Sequence, residues 1–426
     1  MLQINFIREQ RERVTEGLRK RNFSSQQLDI LDELVQLDDE RKATQNQNDQ
    51  LLAESNLLAK QIGDLFKQGK SPEAEQLKAK VAHIKEQTKT LEEQLAATKT
   101  KLDALLVSLP NIPHSSVPFG KTPEENEVFK DWTKPFPTLH ADAQPHWDLA
   151  KKYDLFDLEL GVKLTGAGFP VYRKQGARLQ RALINFFLDQ AAAAGYEEIQ
   201  PPLLVNSDSA HATGQLPDKE AQMYYVEKDD LYLIPTAEVP VTNIYRDVIV
   251  EEKDFPIKMA GYTPCFRREA GSYGAHVRGL NRVHQFDKVE IVQLQHPEKS
   301  YETLMEMLAH VEGLLEKLEL PYRILRLCGG DMGFASALTF DFEVYSAAQQ
   351  RWLEVSSVSN FETFQSNRLK LRYRDENKKT QLAHTLNGSA LALARIVAAL
   401  LENNQTPDGI VLPKVLHAYL GFEKIA

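Results

Sequence analysis

Between residues 77 and 109, Leu77, Val81, Ile84, Thr88, Leu91, Leu95, Thr98, Leu102, Leu105 and Leu109 recur at alternating intervals of four and three. That spacing is a heptad seam and predicts a long helix whose apolar stripe packs on a second helix. The candidate partner precedes it. From about Leu28 to Phe66, the residues Leu31, Leu34, Leu52, Ala59, Ile62 and Phe66 form a weaker stripe, interrupted by the polar run RKATQNQNDQ. Between the two lies KQGKSP, where Gly69 suits a helix end and Pro72 a helix start. An antiparallel coiled-coil hairpin is expected, and a helix of roughly 39 residues is about 58 Å long.

Downstream of Leu109 the pattern breaks into PNIPHSSVPFGKTPEEN, a Pro- and Ser-rich linker. The expected organisation is a coiled-coil domain over 1–110, a linker over 111–130 and a mixed domain over 131–426. In the last of these, helices are predicted over Gly176 to Ala194 and over YETLMEMLAHVEGLLEKLEL, and strands over LYLI, IKMAGYTPCFRRE, RVHQFDKVEIVQL, LTFDFEVYS and RWLEVSS. Asn387, Gly388 and Ser389 are read as a tight turn before a final long helix from about Ala390 to Asn403. Strands joined by hairpins, without strict alternation of strand and helix, indicate an α+β fold: an antiparallel sheet flanked by helices.

Composition narrows the partners. The chain has 426 residues, a formal charge of −9 and a pI near 5.8, which argues against coating nucleic acid over a broad basic surface. One local exception stands out: residues 60 to 89 hold seven lysines against four acids. That basic tip is either an ordinary solvated coiled-coil face or an arm that grips a nucleic-acid backbone. Two cysteines, Cys265 and Cys328, exclude a cysteine-rich zinc site and suit a reducing compartment, so no zinc is expected. The N-terminal residues lack a signal peptide's apolar core and no stretch approaches a membrane span. A soluble cytoplasmic protein with no membrane contact is expected.

Candidate chemistry concentrates between Cys265 and Glu290. On extended strands Arg267 and Glu269 share one face, as do His284, Phe286, Lys288 and Glu290. The loop AGSYGAHVRGLN between them exceeds what a structural hairpin needs, so it is expected to cover or contact something. Arginines suit bidentate phosphate contacts and an aromatic face can stack on a base. A nucleotide site and a surface hairpin with cross-strand ion pairs fit this segment about equally. Arg395 is the only formal charge between Thr385 and Leu401; set among aliphatic residues, it needs a phosphate or a carboxylate partner. Glu238 opens a helix, where its plainest role is with the helix dipole. Glu354 alternates with Trp352 and Ser356 on one strand face, where it can hold magnesium bound to phosphates. No GxxxxGK[ST] or GxGxxG occurs, so a bound ATP would have to sit on the antiparallel sheet.

The motifs FRRE, RVHQFDKVE and NGSALALAR resemble those of class II aminoacyl-tRNA synthetases, and TAEVP, GDMGF and LEVSSVSN, together with the N-terminal hairpin, resemble the bacterial-type seryl-tRNA synthetase family over essentially the whole chain. The resemblance implies that Thr236, Ala237, Glu238, Glu290 and Ser389 bind L-serine. It implies an ATP set of Arg267, Arg268, Glu269, Val283, Phe286, Glu354, Val355, Ser356, Ser357 and Arg395. In that set Phe286 stacks on adenine, Arg267 meets the α-phosphate, Arg395 meets the outer phosphates, and both arginines are catalytic. Glu354 and Ser357 are implied as Mg2+ ligands, although strict alternation puts them on opposite faces, so that role requires a strand end or a bulge. GYEEIQPP matches the family's first motif, with Pro202 at a homodimer interface.

The implied reaction activates serine with ATP to seryl-adenylate and transfers the seryl group to the 3′ end of tRNA(Ser), with tRNA(Sec) a second candidate, bound through the N-terminal arm. Val358 stands where the family often has cysteine, and Ala390 where glycine is frequent; neither change removes a ligand. Two other readings are a paralogue that charges a carrier protein, whose relatives typically lack the full arm, and a coiled-coil scaffold with a degenerate catalytic domain.

Overall fold

The computed structural model describes residues 1–218, 221–269, 274 and 277–426. They form two compact units, one of residues 1–19 and 23–110, the other of residues 20–22 and 111–426.

In the first unit, helices α1 (Ile30–Lys67) and α2 (Ser71–Ser108) pack along their length as an antiparallel hairpin. On α2 the heptad positions face inward: Ile84, Thr88, Leu91 and Leu102 are buried, with Leu106 beside half-buried Leu105. On α1 the expected stripe holds at Ile62 but is off by one residue at Leu52, Ala59 and Phe66. Leu52 and Phe66 are 41% and 42% exposed and Ala59 is also exposed, whereas Leu51, Leu58 and Leu65 turn toward the seam. The inward positions step Gln45, Asn48, Leu51, an extra three-residue interval of the kind that overwinds a coiled coil. The step falls in the polar run, where no apolar side chain marks it. Buried Asp38 replaces an apolar seam residue and takes Arg8 Nε at 3.0 Å, Arg41 Nη2 at 2.7 Å and Lys42 Nζ at 2.8 Å.

The second unit is built on an eight-stranded sheet. Its strands are β1 (Glu127–Lys130), β2 (Glu197–Glu198), β3 (Ile257–Phe266), β4 (Gln285–Gln295), β5 (Tyr322–Arg326), β6 (Leu338–Ser346), β7 (Arg351–Asn360) and β8 (His384–Ala392). They lie in the order β1-β5-β6-β7-β8-β4-β3-β2, antiparallel throughout except for β2, which runs parallel to β3. Short helix α3 (His146–Tyr153) touches α6 (Leu393–Asn403), and α4 (Lys174–Ala193), α5 (Ser300–Lys317) and α6 pack on the sheet. They cover one face, where Val289, Ile291, Phe340, Phe342 and Val358 join a large core with Phe186, Phe187, Met307 and Ile396.

Alternation then decides the opposite face. It presents Gly261, Thr263 and Cys265 on β3, Phe286, Lys288 and Glu290 on β4, and Thr385, Asn387 and Ser389 on β8, paired in register. A face this polar in the middle of a sheet is a place to bind something.

Here β8 corrects the expected turn and early helix. Residues 387–389 are central strand, buried on both sides, and α6 begins only at Leu393. A short apolar run such as ALALA has no period that separates a buried strand from a buried helix.

Candidate active site

The β3–β4 hairpin brings Cys265 opposite Phe286, Thr263 opposite Lys288 and Gly261 opposite Glu290. Lys288 is buried, yet charged groups surround it: Nζ lies 2.5 Å from Glu290 Oε2 and donates to Thr236 Oγ1 at 2.7 Å. Thr236 Oγ1 in turn lies 3.3 Å from Glu290 Oε2, and Ser389 Oγ lies 3.5 Å from the same oxygen. Glu238, at the start of the short helix Glu238–Asn243, accepts from Gln365 Nε2 at 2.6 Å. Burial first, and the charge of Glu290 second, push its carboxyl up to about 7; bonds from Gln365 and Asn387 and the charge of Lys288 act the other way. Thus Thr236, Glu238, Glu290 and Ser389 converge, and Ala237 is the fully buried residue that carries the chain from Thr236 into the helix. Two acids, one lysine and two hydroxyls make a small pocket suited to an ammonium group beside a hydroxyl.

Lys288, Gln365, Asn387 and Thr385 were given no role from the sequence. Gln365 is itself held by Thr385 Oγ1, which donates to its Oε1 at 2.7 Å. The legible signal was Lys288, two residues from Glu290 on the same strand face.

Next to this pocket, the Arg267 guanidinium lies 5.3 Å from the centroid of the half-buried Phe286 ring, a cation–π pair. Arg267 N–H donates to His284 O at 2.9 Å, extending the hairpin by one pair. Beyond it Glu269 does not continue the alternation: its φ is +49°, and its carboxylate is engaged by Arg282 Nε. Arg268 points into solvent and its N–H donates to Gln222 O at 2.9 Å. Val283 packs its side chain into the helix-side core, so it has main chain alone to offer a nucleotide. The expected covering loop falls partly on residues 270–273 and 275–276, outside the described residues.

Arg395 donates through Nε to Asn281 O at 2.7 Å and through Nη1 to Glu354 O at 2.8 Å, with Glu354 Oε2 at 3.7 Å. Its partner is therefore in part the sheet carboxylate considered as the plain alternative. The Arg395 side chain keeps 30% of its exposure. Arg267 through its main-chain N–H and Arg395 through Nε bond to His284 O and Asn281 O, carbonyls three residues apart at the entry to β4, while the Arg267 guanidinium donates through Nε to Pro235 O at 3.4 Å.

The required bulge is present. Phe342 pairs with Ser356 but Glu343 pairs with Glu354, so Val355 is an extra residue on β7. Glu354 and Ser357 consequently share the polar face with Glu343 and Asp341. Ser356 leaves it, correcting the alternation of Glu354 with Ser356: its side chain turns inward and donates to Ser389 O at 2.5 Å, while Val355 joins the core. Asp341 is bonded by Ser357, and burial, followed by the charge of Glu354, holds its carboxyl well above the usual range.

An antiparallel sheet whose polar face combines these arginines, carboxylates and stacked ring is that of a class II aminoacyl-tRNA synthetase. Residues 224–404 match the tRNA synthetase class II core domain (G, H, P, S and T), and residues 1–113 match the seryl-tRNA synthetase N-terminal domain. The chain belongs to the seryl-tRNA synthetase family and is an ATP-dependent serine–tRNA ligase.

It is 51% identical to the serine–tRNA ligase of Salinibacter ruber over 100% of this chain and 99% of that one. Among solved structures it is similar to seryl-tRNA synthetase from Pyrococcus horikoshii complexed with ATP (TM-score 0.93, 35% identity, covering 100% and 99% of the two chains). It is also similar to the cytoplasmic serine–tRNA ligase of Naegleria fowleri in complex with AMP (TM-score 0.87, 28% identity, covering 100% and 98%).

Proposed function

We propose that the polar sheet face activates L-serine with ATP and then passes the seryl group to tRNA(Ser). What carries this reading is the pocket in which Lys288 holds Glu290 beside Thr236, Glu238 and Ser389, next to the Arg267–Phe286 pair. Serine's ammonium and hydroxyl meet Glu238, Glu290, Thr236 and Ser389; alanine lacks the hydroxyl and leaves buried polar groups unpaired. Adenine stacks on Phe286. Serine's carboxylate oxygen attacks the α-phosphorus, the bond to the bridging oxygen breaks, and pyrophosphate leaves. A ribose hydroxyl of the tRNA terminus then attacks the carbonyl of the adenylate, releasing AMP.

No side-chain nucleophile takes part. Arg267 neutralises charge on the α-phosphate and Arg395 on the outer phosphates, so the rate comes from positioning and fixed charge.

The fold family implies Mg2+. Among the described residues no three His, Cys, Asp or Glu side chains are grouped to hold a metal ion. The donors nonetheless fit one shared with phosphate: Asp341 Oδ1 is buried without a hydrogen-bond partner, on the face that carries Glu354 and Ser357. Glu354 and Ser357 would hold the ion, and bound there it supplies positive charge to phosphate oxygens.

The coiled-coil arm of α1 and α2 binds the tRNA through its basic tip, by shape and phosphates; tRNA(Sec) is a second substrate to test. A homodimer through the first-motif region is supported by an open groove of about 510 Å³ in which Ile184, Leu188, Ile199 and Tyr262 are left against solvent. No helix among the described residues is long and apolar enough to cross a membrane. The deciding experiment is ATP–pyrophosphate exchange. Exchange that depends on serine supports the reading, and exchange with no amino acid overturns it.

A further inference from the structure

A fully buried His146–Glu402 pair joins α3 to α6, and the proposed chemistry uses neither side chain. His146 opens α3, and Glu402 lies near the end of α6, seven residues after Arg395. His146 Nδ1 is 2.6 Å from Glu402 Oε1, and that oxygen also accepts His146 N–H at 2.8 Å. On the far side of the ring, Nε2 lies 2.8 Å from Leu280 N. An amide can only donate, so Nε2 is the bare nitrogen and Nδ1 carries the proton given to Glu402. The ring approaches so closely that a Cβ on Gly279, where φ is +71°, would sit 2.2 Å from Nε2. Only glycine leaves that space. One residue along α3, Trp147 takes the Arg278 guanidinium at 4.6 Å from its ring.

The grip continues to Asn281. Its Nδ2 donates to Gln349 Oε1 at 2.8 Å, and Gln349 Nε2 donates to Glu402 Oε1 at 2.9 Å. Ser346 Oγ donates to Glu402 Oε2. Asn281 is the residue whose carbonyl holds Arg395 Nε. Glu402 thus sits on the same helix as Arg395 and fixes, through His146 and Gln349, the chain segment that supplies the arginine's acceptor.

We propose that His146, Glu402 and Gln349 are positioning residues for nucleotide binding, clamping residues 280 and 281 so that the Asn281 carbonyl aims Arg395 at the outer phosphates of ATP. The inference rests on the reading of Arg395 given above. It assigns no contact between the clamp and substrate, and it separates ATP from serine, because the serine pocket shares none of these bonds.

The test is pyrophosphate exchange on the full-length protein, with KM for ATP and for serine measured separately. His146→Asn keeps a donor near Glu402 but has nothing that reaches Leu280 N; His146→Gln places an amide oxygen where Nε2 was. His146→Asn is expected to raise KM for ATP on the order of tenfold with KM for serine unchanged, and His146→Gln to recover most of it. Gln349→Leu, at the half-buried edge of the network, gives the same split if His146→Asn does not fold. Arg395→Lys is the reference. Should it leave KM for ATP unchanged, the reading of Arg395 fails. Should it raise KM for ATP while His146→Asn and Gln349→Leu do not, or should those two move both KM values together, the clamp fails and the arginine's role stands.

Discussion

Lys288 Nζ lies 2.5 Å from Glu290 Oε2, and both side chains are almost completely removed from water. The pair costs more to bury than an apolar pair of the same size, and losing one partner costs more still. Lys288→Met is therefore expected to lower unfolding free energy by about 3 kcal/mol or more. Adding Glu290→Gln should recover part of that loss, while serine-dependent exchange stays abolished in both. Urea denaturation midpoints of the two variants check this; equal stability in all forms would show that the charges do not depend on each other.

Glu238 gives the empty protein a pH dependence with a definite sign. Its carboxyl rises from the ordinary 4.5 to about 7 on folding, chiefly by burial. The folded chain then binds the proton more tightly than the unfolded chain. Its contribution is fully present below the ordinary pKa and fades as pH rises to about 7. Glu238→Gln should flatten the fall in melting temperature between pH 5 and pH 7.5. Serine's ammonium favours the ionised carboxyl, so serine binding at pH 6.5 is expected to release protons. Calorimetry in buffers of different ionisation enthalpy reads that release.

Val358 and Gly388 face each other across β7 and β8. A Cβ on Gly388 would lie 3.1 Å from Val358 Cγ2 and 3.2 Å from Cγ1. The valine that departs from the commoner cysteine fills the space above a bare Cα in a core with none to spare. Gly388→Ala should cost about 1–3 kcal/mol by overpacking, and Val358→Ala in the same chain should return much of it. A double-mutant cycle on chemical denaturation measures the coupling.

On the arm, Lys80 Nζ lies 2.6 Å from Glu54 Oε1, which marks positions opposite each other on α2 and α1. Replacing residues 54 to 80 by a short glycine turn keeps the remaining helices paired as they are. Exchange is expected to persist, while charging of tRNA(Ser) falls by orders of magnitude. Unchanged charging would remove the arm's assigned purpose.

The elements that the sequence made legible are those with a single period. The α2 seam and the β6–β7 hairpin carry one apolar face each, and β4 alternates at Phe286, Lys288 and Glu290 before it becomes apolar on both faces from Ile291 on. Strand β8 was mistaken because it is buried on both faces, which removes alternation and leaves a greasy run that reads as helix. On α1 the stripe was shifted at Leu52, Ala59 and Phe66 because its three-residue step lies among side chains that are all polar. In the site, charges spaced by two were readable as a shared face. What holds those charges was not: Gln365 and Asn387 reach Glu238 from separate elements, and only tertiary folding brings them there.

The extra residue at Val355 makes chain length, as much as side-chain identity, a determinant of what the nucleotide meets. With Val355 deleted, Glu354 and Ser357 would stand two apart and share a face by regular pleating alone; with Val355 kept, only the bulge holds the serine on the glutamate's side. A relative that spells these residues identically but pairs them without the bulge would inherit the letters while its serine and glutamate pointed to opposite faces.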